Sequence, residues 1–320
     1  MRAFDQQGEK RRIWVAGHRG MVGSAIMRRL SSENAEILTV DRRNLDLREK
    51  EAVRQWVRDA RPDVIILAAA KVGGILANES YPVDFLYDNL AIEMSVIEAA
   101  NHAGIERLVF LGSSCIYPKF AQQPIKEESL LSGYLEPTNE WYAIAKIAGI
   151  KLCQAYRRQY GRRYISVMPC NLYGPNDNFD LQTSHVLPAL IRKFHAAKTG
   201  GKAEVVIWGS GTPLREFLHV DDLADAVVFL MDRYDDGEPI NCGAGFDISI
   251  RELAELIGRV VGFAGELVFD PSKPDGTLRK LMNSVRLQRL GWQPKISLEI
   301  GIRGVYRWFL ETQPSEVLTG

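Results

Sequence analysis

Between residues 12 and 30 an apolar run breaks into evenly spaced glycines and resumes with a helical period. Arg12-Ile13-Trp14-Val15-Ala16-Gly17 reads as a strand and His18-Arg19-Gly20-Met21-Val22-Gly23 as a turn. Val22, Ile26 and Leu30 then recur on one helix face. A strand that turns on glycine into a helix brings free backbone N–H groups and the positive end of the helix dipole to one point. Glycines at 17, 20 and 23 let the chain turn tightly and approach a diphosphate. The spacing is Gly-x-x-Gly-x-x-Gly, not the Gly-x-Gly-x-x-Gly of many dehydrogenases. A glycine triplet alone is equally a structural turn; its place straight after the first strand favours a dinucleotide.

The pattern then repeats. Glu36–Asp41, Asp63–Ala70, Arg107–Gly112 and Tyr164–Met168 read as strands. Helical stretches separate them: Glu49–Ala60, Val83–Ala103 and the segment around Tyr142. In the long helix, Leu86, Leu90, Met94, Ile97 and Ala100 are expected to share the buried face. Alternating strands and helices predict an α/β fold, a Rossmann-type doubly wound parallel sheet. Ligands of such sheets lie at the carboxyl ends of strands. There fall the glycine turn, the small residues Ala68–Ala70, the Ser113–Cys115 stretch and Pro169-Cys170-Asn171.

The second half is less regular. Helices are expected at Ser184–Ala197, from His219 to Met231, at Ile250–Val261 and at Leu298–Leu310, with strands at Glu204–Trp208 and Leu267–Asp270. No repeat or low-complexity linker separates the halves. The expected division is therefore interwoven: 11–174 with about 212–245 for the sheet domain, and about 175–211 with 246–320 for a smaller substrate domain. Residues 1–10 read as a flexible tail, too polar for a secretory signal.

Composition narrows the function. Lys plus Arg equals Asp plus Glu, 40 against 40, which argues against a dedicated nucleic-acid or anionic-membrane binder. No run approaches a membrane span. Cys115, Cys153, Cys170 and Cys242 are scattered without Cys-x-x-Cys spacing, as expected of reduced thiols in a cytoplasmic protein, and no metal site is expected.

Tyr142 and Lys146 are four residues apart on a helical stretch, so both can face one site. A tyrosine with an ordinary pKa of about 10 moves protons poorly at neutral pH. A neighbouring ammonium favours the phenolate and is expected to lower that pKa. The pair would serve a carbonyl becoming an alcohol, or the reverse. Alone, a tyrosine and a lysine on an amphipathic helix explain the spacing equally well.

At the end of the second strand an acid favours NAD and arginines favour the extra phosphate of NADP. Asp41 stands there, but Arg42 and Arg43 follow it and Arg19 lies in the glycine loop. Three cations against one acid point to NADP(H), unless Arg42 and Arg43 are only solvated loop charges.

Together, Gly17-x-x-Gly20-x-x-Gly23, the Ser113 strand end, Tyr142-x-x-x-Lys146 and Asn171-Leu172-Tyr173-Gly174-Pro175 resemble the extended short-chain dehydrogenase/reductases that act on nucleotide sugars. Longer strings strengthen the likeness: Ala70-Lys71-Val72-Gly73-Gly74-Ile75, Leu111-Gly112-Ser113-Ser114-Cys115-Ile116-Tyr117-Pro118 and Trp208-Gly209-Ser210-Gly211. The resemblance covers nearly the whole chain beyond the tail. It implies epimerisation of GDP-4-keto-6-deoxy-D-mannose at carbons 3 and 5, then reduction of the carbon 4 ketone by NADPH to give GDP-L-fucose. Another GDP-keto-sugar, such as the precursor of GDP-L-colitose, would use the same residues. A cofactor-binding protein with a dead site is the third reading; the presence of Ser113, Tyr142 and Lys146 speaks against it.

Residue by residue, the resemblance implies Ser113, Tyr142 and Lys146 for reduction and Cys115 with His185 for proton exchange. Without it, Cys115 reads as a buried inert thiol and His185 as a residue opening a helix. The implied cofactor contacts are Gly17, His18, Arg19, Gly20, Met21, Val22, Gly23 and Arg42; Leu111, Gly112, Ser113 and Ser114; Lys146; Pro169, Cys170, Asn171 and Leu172; and His185. Lys193, Trp208, Arg215 and Asp275 match the GDP-sugar contacts. A homodimer through the helices at 84–103 and 142–160 is also implied.

Overall fold

Val64-Ile65-Ile66-Leu67 is buried at every position, as a strand covered on both faces must be. It lies inside a six-stranded parallel sheet in the computed structural model, which describes residues 10–181, 183–273 and 275–312. Residues 1–9 of the expected tail lie outside the described residues.

In chain order the first half runs β1 (Arg11–Ala16), α1 (Met21–Leu30), β2 (Ala35–Leu38), α2 (Lys50–Ala60), β3 (Val64–Leu67), α3 (Ile75–Ser80), α4 (Pro82–His102), β4 (Arg107–Leu111), α5 (Glu140–Tyr160) and β5 (Arg163–Pro169). A sixth strand, Ile240–Cys242, pairs with β5 after a helix, Val220–Arg233. Across the sheet the order is Ile240–Cys242, β5, β4, β3, β1, β2, all parallel. The order reverses between β1 and β3, and that switch opens a crevice above the carboxyl ends. Asp41 lies beyond the second strand, which stops at Leu38.

A second apolar core sits beside the first. Helix α6 (Val186–Thr199) contributes Leu187, Leu190, Ile191 and Phe194. The helices Ile250–Val261 and Leu298–Thr312 supply Leu253, Ile257, Ile302 and Phe309. The first of these two helices opens on a capping box, in which Ser249 Oγ accepts from Glu252 N and the Glu252 carboxylate accepts from Ser249 N. Met282, Leu287 and Trp292 reach back into the first core, so the chain crosses between the cores more than once.

Helix α4 departs from its expected face. Met94 is exposed, while Phe85, Asn89, Glu93, Val96, Ile97 and Ala100 are buried. Ile97 and Ala100 are buried as expected; in the first half of the helix the apolar period had pointed one residue away, because the buried stripe there carries an amide and a carboxylate.

The glycine turn is fixed by contact. Gly17 has φ +93° and its missing Cβ would lie 2.6 Å from Ala69 N. A Cβ at Gly23 would lie 2.1 Å from Gly17 O. Gly23→Ala should therefore lower stability by about 1–3 kcal/mol, read as a fall in Tm, together with weaker dinucleotide binding by titration. An unchanged Tm would show that the turn relaxes freely.

Candidate active site

The glycine turn presents the start of α1 to the crevice. Gly20 caps the helix without a side-chain bond, and no acid occupies its first turn. Gly20 N donates to Gly17 O at 3.1 Å, closing the loop against the end of β3. Backbone N–H groups without side-chain competitors, beside small residues Ala68–Ala70, fit a diphosphate. Leu111 and Gly112 continue the rim; Gly112 N donates to Val167 O at 2.9 Å, and a Cβ there would meet Met168. Pro169 ends β5, and the expected loop at Asn171 begins as a short strand, Asn171–Tyr173, parallel to Phe217–His219; Asn171 Nδ2 donates to Glu216 O at 2.8 Å and holds it there. Burial pushes the Cys170 thiol well above its ordinary pKa, with the Glu216 charge adding to it, so this cysteine stays neutral.

Beyond the end of β2, Asp41 and one of the arginines pair directly. Arg19 forks onto Asp41, with Nε 2.7 Å from Oδ1 and Nη2 2.7 Å from Oδ2. His18 Nε2 lies 3.2 Å from the same carboxylate. Arg42 and Arg43 are exposed beside it. Asp41 thus organises the corner and engages a cation that a phosphate would also seek.

Where β4 ends, Ser113 begins a one-turn helix, Ser114–Ile116. Its hydroxyl accepts from Cys115 N at 3.3 Å, which pins the serine and cysteine in one turn. That turn lies against α5, which carries Tyr142 and Lys146 on one face. Lys146 is 2% exposed and Glu93 of α4 is 1% exposed; Lys146 Nζ lies 3.0 Å from Glu93 Oε1. The expected lowering of the Tyr142 pKa does not occur. Burial raises it well above 10, and the charges of Cys115 and Glu93 push the same way. The ammonium that was to favour the phenolate faces a carboxylate that opposes it.

Cys115 is buried, and burial raises its thiol pKa. Lys280 opposes that most, then the Ser113 hydrogen bond and Lys146. His185 is the N-cap of α6, and desolvation lowers its imidazole pKa. A chain of contacts links it to Tyr142. Phe85 meets the Tyr142 ring edge-on at 6.4 Å, and Gly73 abuts Phe85. Gly74 N donates to Thr183 O at 2.8 Å, and a Cβ at Gly74 would lie 2.7 Å from Ser184 O.

All four expected substrate residues lie in the second half and form two groups. Trp208 ends the strand Glu204–Trp208 and is 64% exposed. Lys193 Nζ lies 5.3 Å and Lys273 Nζ 5.5 Å from its ring centre. Arg215 pairs in register with Lys280 across the short strands Leu214–Arg215 and Arg279–Lys280. Burial lowers the pKa of both. Asp275 ties the groups together: Oδ1 accepts from Ser210 N at 2.7 Å and Oδ2 from Ser210 Oγ at 2.8 Å. Gly209, at φ +84°, leaves room for that carboxylate. Asp275 thus holds the loop after Trp208.

Sequence reasoning missed Glu93, Lys273 and Lys280. No local motif marks them. A glutamate in the middle of an expected apolar stripe was the one available signal for Glu93.

Known proteins resemble this chain over most of its length. The profile of the NAD dependent epimerase/dehydratase family matches residues 13–243. The chain is 60% identical over 300 residues to the GDP-L-fucose synthase of Sinorhizobium fredii (strain NBRC 101917 / NGR234), covering 94% of this chain and 96% of that protein. It is 58% identical over 302 residues to the probable GDP-L-fucose synthase 1 of Oryza sativa subsp. japonica, covering 94% and 92%. A crystal structure of a GDP-L-fucose synthetase from Naegleria fowleri bound to NADP superposes with a TM-score of 0.87 at 31% identity, covering 95% of each chain.

The Arg19–Asp41 fork yields a prediction. Asp41→Asn removes the charge that holds Arg19 and should raise the preference for NADPH over NADH. A charge-assisted bond is worth about 1.5–3 kcal/mol, so roughly tenfold or more is expected in the ratio of dissociation constants. A fall in NADPH affinity would mean that Asp41 aims Arg19 at the phosphate.

Proposed function

This chain belongs to the NAD dependent epimerase/dehydratase family, and from that premise we propose that it converts GDP-4-keto-6-deoxy-D-mannose to GDP-L-fucose with NADP(H) as its cofactor. The observation that carries the reading is the junction of the Ser113–Ile116 turn with α5. It places Ser113 and Cys115 beside Tyr142 and Lys146.

A ketone acidifies its flanking C–H bonds, because the carbanion delocalises onto oxygen. The Ser113 hydroxyl and the Tyr142 phenol donate hydrogen bonds to that oxygen and stabilise the enolate. A phenol whose pKa stands well above 10 is protonated throughout the neutral range and remains a donor in every step. Inversion needs a base and an acid on opposite faces of the sugar. Cys115 and His185 fill these places. Cys115 acts as base through its minor thiolate form; burial resists that form, and the positive potential of Lys280, the Ser113 hydrogen bond and Lys146 oppose the burial only in part. His185 is exposed at the start of α6, and the protein atoms around its imidazole still desolvate it and lower its pKa, so its acid form gains population as pH falls. Bound NADPH supplies the hydride for carbon 4. Tyr142 then gives its proton to the resulting alkoxide.

The GDP end of the substrate lies against the second core. Arg215 and Lys193 attract the diphosphate, Trp208 covers the planar base, and Asp275 holds the loop between Trp208 and Arg215 through Ser210. The proposed domain division is 11–174 with about 212–245 and about 175–211 with 246–320; the two cores support it in part, since Tyr173 and Phe217 pack in the second core and Met282, Leu287 and Trp292 in the first. No helix of the described residues is long and apolar enough to cross a membrane. All four cysteines are free and buried, and the cytoplasm is the proposed location. The proposed partner is a second copy, joined through α4 and α5. Val83, Tyr87 and Met94 on α4, with Trp141 and Ile144 on α5, are exposed apolar residues at the site of that contact.

In deuterated water with the keto-sugar and NADPH, the wild-type product read by NMR should carry deuterium at carbons 3 and 5 and hydrogen at carbon 4, in the L configuration. Tyr142→Phe should cut reduction roughly 10²- to 10⁴-fold with NADPH binding largely kept. Cys115→Ser should slow exchange at carbons 3 and 5 and let uninverted sugar be reduced. Wild-type exchange with fully inverted product from Cys115→Ser would give deprotonation to another residue. For assembly, Met94→Glu should convert a dimer to a monomer by light scattering; an unchanged mass would remove α4 from the interface.

A further inference from the structure

Helix α4 is polar where it is most deeply packed. Phe85, Asn89 and Glu93 are spaced by four and share one buried face. Phe85 touches the Tyr142 ring. Asn89 uses its whole amide: Oδ1 accepts from Lys71 N at 2.8 Å, and Nδ2 donates to Lys71 O at 3.0 Å and Phe85 O at 2.7 Å. Its role is to hold the Lys71 loop. Glu93 braces no loop; among the described residues its carboxylate faces the Lys146 ammonium alone, at 3.0 Å.

The surroundings are shaped for this contact. Gly149 lies three residues after Lys146 on the same side of α5, and a Cβ there would come within 2.7 Å of Glu93 Oε2 and 2.5 Å of the Phe110 ring. The Lys146 ammonium lies 4.8 Å from the centre of the Phe110 ring and 5.7 Å from that of Tyr142. An aromatic ring, the tyrosine and the carboxylate therefore box it in. A buried ion pair is often no more stable than an apolar pair of the same volume, and a glycine inside a helix weakens the helix. Both unfavourable choices place a carboxylate behind the lysine. Stability alone does not account for them.

We propose that Glu93 is a positioning residue that holds the Lys146 ammonium in place beside Tyr142 and so sets the rate of reduction. The proposal rests on the reading of Tyr142 and Lys146 given above. Burial pushes the Glu93 carboxyl up to about 7, with Lys146 pulling it down. The groups facing the pair are Tyr142 and Cys153 on α5 and, beyond them, Cys115. All three are pushed above their ordinary values, so none of them titrates near 7. Reduction should then fall as pH drops through about 7 and Glu93 takes a proton. His185 titrates on the acid side as well, but a Glu93 variant leaves it in place and the difference isolates the carboxylate.

The test compares wild type, Glu93→Gln and Glu93→Asp in NADPH oxidation with GDP-4-keto-6-deoxymannose across pH. Glu93→Gln is expected to lower kcat at least tenfold, keep KM for the sugar within threefold and lose the limb near pH 7. Glu93→Asp keeps the charge and should retain the limb and recover part of the rate. A Glu93→Gln enzyme with kcat within twofold of wild type and the same limb overturns the proposal. If that variant does not fold, Glu93→Asp decides: rate and limb indistinguishable from wild type overturn it. Thermal melting of Glu93→Gln, Lys146→Met and the double variant needs no substrate. The double variant should melt above the sum of the single losses, because the stranded charge has gone. Should wild type leave the sugar unchanged, the functional reading fails, and strictly additive melting losses would still overturn the pairing.

Discussion

Two helices pack over a charge. At the α4–α5 contact a lysine and a glutamate are withdrawn from water together, and neither can be left without the other. Breaking one side of such a pair typically costs about 3–5 kcal/mol, whereas the intact pair adds little. The contact is therefore a constraint more than a source of stability. It fixes the rotation of α5 about its axis, because Gly149 must face α4 to admit the carboxylate. With that rotation set, Tyr142 is carried to the Ser113–Ile116 turn at the end of β4. The same face of α4 holds the Lys71 loop through Asn89, and that loop meets the segment leading into His185. One helix face thus supports both Tyr142 with Lys146 and the segment leading into His185 from behind.

The electrostatics of the site follow from burial. Tyr142 and Cys115 are pushed up and His185 down, so each group rests neutral. A neutral resting site suits a substrate that develops negative charge only during reaction, since donors and nearby cations are already aimed where that charge appears. Lys280 supplies one such cation. It arrives from a strand far along the chain that pairs beside Arg215.

Much of this was legible in the sequence, where the information is local. The β1–glycine–α1 unit, the alternation of strands and helices, and the spacing of Tyr142 and Lys146 depend on neighbours within a few residues. The helix Ile250–Val261 appears where its period placed it. What could not be read depends on partners distant in the chain. The face of α4 was misjudged because apolar period alone does not anticipate a buried carboxylate whose partner lies 53 residues later. The direction of the Tyr142 shift was misjudged because the spacing shows the lysine but not the burial that raises the phenol, nor the Cys115 and Glu93 charges that add to it. Arg19 and Asp41 were both visible, but their fork needed the fold to bring the glycine loop to the end of β2.

The proposed reaction needs two surfaces to meet on one sugar, the Ser113–Tyr142–Cys115 junction and the paired strands that carry Arg215 and Lys280. A crystal structure with NADP and a GDP-sugar bound tests that most directly. It should show the sugar between Cys115 and His185, its carbon 4 oxygen within hydrogen-bond reach of Ser113 and Tyr142, and the diphosphate beside Arg215. A sugar seated on the outer side of Trp208, away from Tyr142, would contradict it.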